Sequence, residues 1–321
     1  MLLPRIVAGT LSIGLIALGA SVACAQHYPS KPIRILTSDV GGSPDFLARL
    51  LAQGITVGLG QNLIVENRAN VKATELVAQA PADGYTLLFA STGLHVTGPL
   101  LQKVSYDPIR DFAAISLAVQ QPNLIAVTPA LPVKSVKELV AYARARPGEL
   151  NYGSSSTGSS NHLAGELFNS MAGVKLVRIN YKGMGQAMID LIGGQVHLAF
   201  PAVATAMPHI KSGKLRALAV ASAKPYSLLP GLPTVSDSGL PGYESASIYG
   251  VLAPARTPAP VIRRLNHEIV SFLNKPEARD KLLISGSEPV SSTPEAMAVT
   301  MKSEMAKWSK VIREAGIRPK D

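Results

Sequence analysis

The sequence predicts an α/β protein built from two lobes. Short apolar runs alternate with stretches whose apolar residues recur at helical spacing, a pattern typical of strands joined by helices in parallel sheets. The apolar runs are nearly continuous, as expected for strands that are covered on both faces. Two proline-rich zones, at residues 129–132 and 225–241, mark where the chain would pass between the lobes.

The predicted elements follow that alternation along the chain. Residues 33–36 form the first predicted strand, and Phe46, Leu47, Leu50 and Leu51 follow it at helical spacing. Further strands are predicted at 63–65, 87–89, 124–127, 196–200 and 215–220. Helical stretches at 260–274 and 294–315 are expected to return to the first lobe. We therefore expect lobe 1 to comprise residues 26–128 and 244–321, and lobe 2 to comprise residues 129–243.

The N-terminus has the layout of a secretory signal peptide. Arg5 is its only charge, an apolar stretch follows, and the small residues Ala23-Cys24-Ala25 end it in an A-x-A pattern. We predict cleavage after Ala25, a signal peptide of residues 1–25, and secretion to the periplasm. Two alternatives stay open: an uncleaved anchor helix, which the interrupting glycine and polar residues disfavour, and a lipoprotein modified at Cys24.

Cysteine usage supports export and limits the chemistry. Cys24 is the single cysteine, so a mature chain that begins at Gln26 has none. Such a chain has no disulfide, thiolate nucleophile or cysteine metal site. Export without disulfides fits a bacterial periplasm and a core large enough to hold without covalent cross-links.

Composition and charge indicate a globular protein that favours anions. The chain is 47% hydrophobic and 16% charged, with a formal net charge of +10 that becomes +9 without Arg5. The basic residues are scattered, Arg263-Arg264 being the longest run, and aromatic residues make up only 5%. A nucleic-acid binder usually has a clustered basic face, so we predict no nucleic-acid partner.

Motifs of catalysis and cofactor binding are missing from the sequence. It contains no G-x-S-x-G, H-E-x-x-H, EF-hand or P-loop pattern, and its six histidines lie far apart. Gly58-x-Gly60 and Gly183-x-Gly185 each lack the third glycine of a dinucleotide fingerprint. We predict no catalytic residue, metal or cofactor, although a triad assembled from distant residues stays open.

A first loop suited to an anion spans residues 37–45. It follows a predicted strand and opens a helix, with Ser43 at the N-cap position, Pro44 at the first helical position and Asp45 in the first turn. Gly41 and Gly42 would let the backbone approach a ligand at the free amides of the helix start. The alternative is an ordinary, well-capped strand-to-helix turn.

A second such loop spans residues 151–162. Five serines and one threonine occupy the seven positions 154–160, and a helix with Leu163, Leu167 and Phe168 on one face follows. Clustered hydroxyls and exposed amides suit a carboxylate. A flexible serine-rich linker is the alternative, which the apolar elements on both sides disfavour.

Motifs along the mature chain resemble one known family. They lie at 28–33 (YPSKPI), 83–88 (DGYTLL), 106–108, 111–112, 151–155 (NYGSS), 162–167 (HLAGEL), 181–183 (YKG), 193–196 (GGQV), 212–219, 239–243 and 257–260. In this order they are similar to the extracytoplasmic solute receptors of tripartite tricarboxylate transporters, the Bug or TctC family. The resemblance covers essentially the whole mature chain.

The resemblance implies a fold, a ligand class and a site. The expected fold is the type II periplasmic-binding-protein fold, with a mostly parallel sheet in each lobe and a central cleft that closes by a hinge. The expected partners are a small carboxylate and the membrane subunits of a tripartite transporter, and the expected state is a monomer. The implied binding residues are Asp39, Val40, Gly41, Gly42, Ser43, Asp45, Ser91, Thr92, Ser155, Thr157, Gly158, Ser159, Ser160, Tyr181, Phe200, Pro201 and Ala202.

Three departures from the family pattern put the ligand's identity in question. Asp39 stands in the first loop, where an acid would repel a carboxylate. Either Asp39 turns away to bond the backbone, or the ligand carries an amine or hydroxyl there. The loop 69–74 lacks the family's glycines and brings Lys72, and Pro201 replaces a polar residue.

The sequence is compatible with four roles for the protein. The leading one is a transport receptor, and a related family member that binds an amino or amide-bearing ligand is a variant of it. A sensory receptor that presents its ligand to a histidine kinase is the second. An enzyme on the same fold is the third, and a family member without a ligand is the fourth.

Overall fold

The computed structural model describes residues 28–38, 43–68, 71–91, 93–155 and 157–317. The predicted signal segment 1–25, with Cys24, lies outside the described residues. The described chain forms two α/β lobes around two sheets, which confirms the predicted fold class. Among the residues that the structure describes, none of the helices combines the length and the apolar character needed to cross a bilayer.

Strands and helices alternate along the first half, except that the strands at 112–122 and 124–127 follow one another directly. The strands at 112–122 and 151–154 are not among the predicted ones. In chain order they are β1 (Ile33–Thr37), α1 (Ser43–Leu59), β2 (Leu63–Asn67), α2 (Lys72–Ala78), β3 (Thr86–Ser91), α3 (Gly98–Leu101), β4 (Phe112–Pro122), β5 (Leu124–Val127), α4 (Val136–Arg144) and β6 (Asn151–Ser154). A π-helical turn, Gly93–Thr97, precedes α3.

The second half continues with shorter strands and ends in helices. Its elements are α5 (Ser160–Ala172), β7 (Val177–Asn180), α6 (Met184–Ile192), β8 (Leu198–Ala199), α7 (Val203–Lys211), β9 (Arg216–Val220), β10 (Ala246–Pro254), α8 (Ala259–Leu273), α9 (Pro276–Ile284), β11 (Glu288–Pro289) and α10 (Pro294–Glu314). Proline at the first turn of α8, α9 and α10 suits a helix start, where no backbone N–H is needed.

Both sheets are mixed, which corrects the expectation of mostly parallel sheets. The first has the order β11-β4-β10-β3-β1-β2, with β1 parallel to β2 and β3, and β10 antiparallel to β3 and β4. The second has the order β7-β6-β8-β5-β9, with β6 parallel to β7 and β8, and β5 antiparallel to β8 and β9. Each antiparallel pair includes a strand next to a point where the chain passes between the lobes. Such a strand enters its sheet directly and not through a crossover helix, so it can run antiparallel to its neighbours.

The chain crosses between the lobes at Asn123 and Ser245. The amide N–H of Asn123 donates to the carbonyl oxygen of Ser245 over 3.0 Å, and the N–H of Ala221 donates to the carbonyl oxygen of Asn123 over 2.8 Å. Strand β5 therefore lies in the second sheet, although the expected first lobe ran to residue 128. The apolar run 124–127 pairs with β9 and β8 as soon as it leaves β4, so the crossing comes earlier than the proline zone.

Helix α10, expected in the first lobe, contacts both lobes. Trp308 and Val311 of α10 are buried in one apolar cluster with Leu163 of α5, and Val96 and Leu101 from the first lobe join the same cluster. Glu304 accepts a hydrogen bond from Trp308 Nε1 over 2.8 Å, which satisfies the buried indole. The side of the molecule that carries the second loop is therefore packed continuously from one lobe into the other.

Candidate functional site

The candidate site lies where strands of both lobes end and helices begin. In the first sheet the parallel strands β1 and β3 end at Thr37 and Ser91, and in the second sheet β6 and β7 end at Ser154 and Asn180. Ligands in open α/β folds bind outside such carboxyl ends. The implied binding residues Asp39, Val40, Gly41, Gly42 and Thr92 lie outside the described residues.

Asp45 fixes the start of helix α1 to the ends of two strands. Its carboxylate accepts from Arg49 Nε over 2.8 Å and from Asn67 Nδ2 over 3.1 Å, and it is only 7% exposed. Asn67 Nδ2 also donates to the carbonyl oxygen of Ser38 over 3.1 Å. The charge also suits the positive end of the helix. Asp45 thus joins the first turn of α1 to Asn67 at the end of β2, and its carboxylate is engaged within the protein, whereas Ser43 at the helix start is exposed.

Asn161 organises the serines of the second loop. Its Oδ1 accepts from the backbone N–H of Ser155 over 2.8 Å, from Ser155 Oγ over 3.1 Å and from Ser159 Oγ over 2.9 Å. Because a backbone N–H can only donate, the first of these bonds fixes which end of the amide faces the loop. The loop is therefore a bonded structure and not a flexible linker.

Arg178 lies beneath the same loop and bonds to it from strand β7. Its Nε donates to Ser154 Oγ over 2.7 Å, its Nη1 to Thr157 Oγ1 over 3.1 Å, and its Nη2 to the carbonyl oxygen of Ser155 over 2.8 Å. Nη2 also donates to Asn180 Oδ1 over 2.6 Å. The side chain is half-buried, and burial lowers the pKa of Arg178, although an arginine starts so high that it stays charged. A fixed positive charge thus supports the hydroxyl loop.

Gly158 is held from both lobes. Its N–H donates to His162 Nδ1 over 3.0 Å, and its carbonyl oxygen accepts from Thr97 Oγ1 of the first lobe over 3.3 Å. Its φ of +82° is one that side chains rarely adopt, and an added Cβ would lie 2.1 Å from Leu101 Cδ1. Glycine is needed here for conformation and for space.

A buried polar network supports the loop from behind. His162 Nε2 faces Glu166 Oε1 at 3.8 Å, and Tyr152 Oη donates to Glu166 Oε1 over 2.6 Å. Burial lowers the pKa of His162 to about 4, and the charge of Arg178 adds to this effect. Burial, with Glu166 nearby, raises the pKa of Tyr152 far above its ordinary value. Both rings are therefore neutral at neutral pH, and the bond from Gly158 to His162 needs that neutral ring.

The remaining implied residues divide between the loop and its surroundings. Ser160 begins helix α5 beside Ser159, and Ser91 ends β3 opposite Tyr249 of β10. Tyr181 Oη donates to Asp190 Oδ2 over 2.7 Å, and burial with this carboxylate raises the pKa of Tyr181 to about 12. The backbone N–H of Tyr181 donates to Ser154, which places its ring against β6.

Phe200, Pro201 and Ala202 lie toward the core and the crossing. Phe200 has no exposed surface and packs edge-on against Tyr152 at 5.7 Å between ring centroids. The carbonyl oxygen of Pro201 accepts from Leu124 N over 2.9 Å, and Ala202 bridges to Asn123. The structure therefore brings Ser155, Thr157 and Ser159 together around Asn161 and Arg178. Phe200, Pro201 and Ala202 lie behind or beside them.

Sequence reasoning missed Arg178, Asn180, Asn161 and Thr97 as site residues. Asn161 lies within the predicted loop, but the predicted site was based on the serines of that loop. Arg178 had a signal of its own, since it interrupts the apolar pair Val177 and Ile179, and alternation in a strand turns it to the opposite face. Thr97 had none, because its contact with Gly158 spans 61 residues of sequence.

The described residues offer no metal centre. Among them, no group of three or more histidine, aspartate or glutamate side chains is placed to hold a metal ion. The polar atoms gathered at the second loop are hydroxyls, amides and a guanidinium, which can hold an anion by hydrogen bonds.

Comparisons with known proteins point to one family. A sequence model described as the tripartite tricarboxylate transporter family receptor, TctC, matches residues 47–317. Protein BugT of Bordetella pertussis is 34% identical over 317 residues, which cover 96% of this chain and 97% of that protein.

Two solved structures carry carboxylates in the same fold. R. palustris Rpa4515 with adipate is 38% identical, has a TM-score of 0.78, and is matched over 91% of this chain and 100% of its own. MatC (Rpa3494) from Rhodopseudomonas palustris with bound malate is 27% identical, with a TM-score of 0.73 and coverages of 89% and 100%.

Proposed function

The chain belongs to the receptor family of tripartite tricarboxylate transporters, and from that premise we propose that it captures a small organic carboxylate for the membrane subunits of such a transporter. The family consists of extracytoplasmic solute-binding proteins and not of enzymes. Binding in the cleft between the two lobes, followed by delivery to a membrane partner, is the function that the site supports best.

The observation that carries the proposal is the second loop above Arg178. Hydroxyl and amide donors gather there over a half-buried positive charge, at the carboxyl ends of β6 and β7. Such a site favours an anion with several acceptor oxygens. The adipate and malate bound by two relatives support a carboxylate, as does the positive formal net charge, +10 for the full sequence and +9 without Arg5.

The binding residues that we propose come from both lobes. From the first lobe, the proposed ligand contacts are Ser43, Ser91 and the backbone of Gly41 and Gly42. From the second lobe, Thr157 contacts it through its hydroxyl, and Gly158, Ser159 and Ser160 shape the loop. Closure is a hinge motion about the crossings at Asn123 and Ser245, where two short backbone segments join the lobes.

Export is part of the same proposal. A receptor of this family works outside the cytoplasm, and the segment 1–25 has the layout of a signal peptide with an A-x-A end. We propose cleavage after Ala25 and a periplasmic mature chain. The N-terminal residue of the protein isolated from the periplasm tests this, with Gln26 expected and an intact Met1 contradicting it.

A thermal-unfolding screen of the mature chain tests ligand binding. A ligand that binds only the folded state raises its stability, by about 2.7 kcal/mol at 100 times Kd. Adipate and malate are the first carboxylates to add, and adipamide, the neutral diamide of adipate, is the matched control. We expect a rise in Tm with at least one carboxylate and a much smaller rise with adipamide. No rise with any small carboxylate, or an equal rise with adipamide, contradicts the proposal.

Delivery to a transporter needs a separate measurement. Uptake of the bound carboxylate by cells is compared with and without the gene for this chain. We expect uptake to be lost without the chain and restored by the wild-type gene. Unchanged uptake, with binding intact, would favour a sensory role for the receptor.

A further inference from the structure

We propose that Arg178 and Asn180 make the second loop select an ionised carboxylate over its neutral amide. In this proposal Arg178 is a positioning residue, which turns the hydroxyl hydrogen of Thr157 and the amide hydrogens of Asn180 toward the ligand. Asn180 is then a binding residue of the site. The inference rests on the proposed function and names the chemical group that this part of the site recognises.

The hydrogen bonds of Arg178 set the direction of two neighbouring groups. A guanidinium only donates, so Thr157 Oγ1 and Asn180 Oδ1 must both accept from it, over 3.1 and 2.6 Å. The single hydrogen of the Thr157 hydroxyl is therefore directed away from Arg178. The NH₂ end of the Asn180 amide also faces away, because its oxygen faces the guanidinium. Both groups present donors on the side opposite the charge.

Neighbouring serines behave in the opposite way. Ser154 Oγ also accepts from Arg178, but it donates its hydrogen to the carbonyl oxygen of Ser155. Ser159 Oγ donates to Asn161 Oδ1, which leaves its lone pairs as the remaining hydrogen-bonding capacity. The hydroxyls that line this loop are thus not equivalent, and Thr157 is set as a donor by its bond to Arg178.

Asn180 lies at the same edge of the sheet as the loop. Strands β6 and β7 are parallel, and Asn180 is in register with Ser154, the last residue of β6 before the loop. Asn180 is exposed, whereas Arg178 is half-buried. A half-buried cation therefore lies beneath two donors that face outward, at one end of the second sheet.

Arg178 forms no ion pair within the described residues, although the nearby Glu166 carboxylate acts on its charge. Among the described residues, no carboxylate lies within ion-pair distance of its guanidinium, and Glu166 bonds instead to Tyr152. A partly buried charge is weakly screened, so an anion one hydrogen bond away is stabilised. A carboxylate accepts from both donors and meets the charge. A neutral amide loses the charge interaction, and its NH₂ group would face other donors.

The test compares adipate with adipamide on variants of the full mature chain, by isothermal titration. Arg178→Gln keeps an NH₂ donor for the loop but removes the charge, and Thr157→Val removes the hydroxyl. For each variant we expect adipate affinity to fall about 10- to 100-fold, as for loss of a charge-assisted bond, with adipamide affinity nearly unchanged. Thr157→Ser and Arg178→Lys, which keep the hydroxyl and the charge, should retain the preference for adipate.

Asn180→Leu is a variant that should fold normally, because this position is exposed. Circular dichroism can verify the fold. It should weaken adipate about 10-fold and leave adipamide nearly unchanged. Equal losses for both probes in all variants would mean that these residues only hold the loop together, and unchanged adipate affinity would mean that they do not act on the ligand. Either result overturns the inference while the proposed function stands. A wild-type chain that binds no carboxylate overturns both.

Discussion

The hydroxyl of Thr97, in the first lobe, donates to the carbonyl oxygen of Gly158 in the second lobe over 3.3 Å. Leu101, one turn further along, packs directly against Gly158, so polar and apolar contacts hold the same residue. The second loop is thereby bonded to the first lobe as well as to its own. A motion that separates the lobes on this side must break this contact, so we expect the shape of the loop to be coupled to the proposed closure.

Replacement of Thr97 by valine tests this coupling. Valine has nearly the same shape but no hydroxyl, so the bond between the lobes is lost. We expect a loss of about 1 kcal/mol in the free energy of unfolding and a severalfold faster dissociation of a bound carboxylate. Stopped-flow dissociation measures the rate, with Thr97→Ser as the control that keeps the hydroxyl. An unchanged rate in Thr97→Val would show that the bond plays no part in holding the ligand.

Gly158 and Gly148 form a matched pair that separates the cost of backbone strain from the cost of a steric clash. Both have a φ of +82°, but an added Cβ meets Leu101 at Gly158 and nothing within 4 Å at Gly148. Gly148→Ala should cost about 1 kcal/mol from backbone strain alone. Gly158→Ala should cost about 1–3 kcal/mol more, because of the clash, and should abolish binding. Chemical denaturation gives both values, and equal losses at the two positions would contradict the packing described here.

Stability should fall as the pH falls from about 6.5 toward 4. Burial lowers the pKa of His95 and of His162 to about 4, whereas in the unfolded chain they titrate near 6.5. Between these values the unfolded state binds protons that the folded state does not, so acid favours unfolding. The ring of His162 faces Glu166 and is influenced by Arg178, and His95 bonds to the carbonyl oxygen of Pro108 over 2.6 Å.

Urea denaturation between pH 5 and pH 7 measures this effect, because most carboxylates do not change their protonation in that range. We expect the slope of unfolding free energy against pH to be positive and to decrease in His162→Gln, which keeps a neutral acceptor for Gly158 N–H. A flat profile in the wild type would mean that these histidines titrate alike in both states.

Asp45→Ala tests how the first helix is fixed. The substitution removes the acceptor shared by Arg49 and Asn67 and the charge at the helix start. We expect a loss of about 1–3 kcal/mol in stability and weaker ligand binding, with the fold retained. Arg49→Ala is the comparison, since Arg49 is half-exposed and its loss leaves Asn67 bonded to Asp45. Binding that survives Asp45→Ala unchanged would show that the ligand does not depend on the start of α1.

Strands with continuous apolar runs could be predicted, and interrupted strands could not. The run 87–89 is fully buried, and the run 33–36 is buried except for the exposed Arg34, so the apolar residues of both runs carry the signal. Strand β4 is the longest of the first sheet, but Ser116 and Gln121 break its apolar pattern. Both side chains can be buried there because they hydrogen-bond to Ser292 and Ser287. The mixed character of both sheets was missed because strand direction depends on the path between lobes.

The second loop was predicted as a cluster, but its chemistry was not. A run of serines indicates donors and acceptors without saying which hydroxyl does which. That assignment depends on Arg178, which is 21 residues from Thr157 and reaches it through the parallel pairing of β6 and β7. The crossing between the lobes lies at Asn123, earlier in the chain than the proline zone at 129–132 predicts. Strand pairing, and not the placement of prolines, decides where a sheet begins.

Isothermal titration of the mature chain with a panel of small carboxylates, each beside its neutral amide, tests the central claim most directly. The panel includes adipate and malate. We predict saturable binding of at least one carboxylate at one site per chain, and at least tenfold weaker binding of its amide. A chain that binds none of them, or that binds an amide as tightly as the acid, would contradict the account.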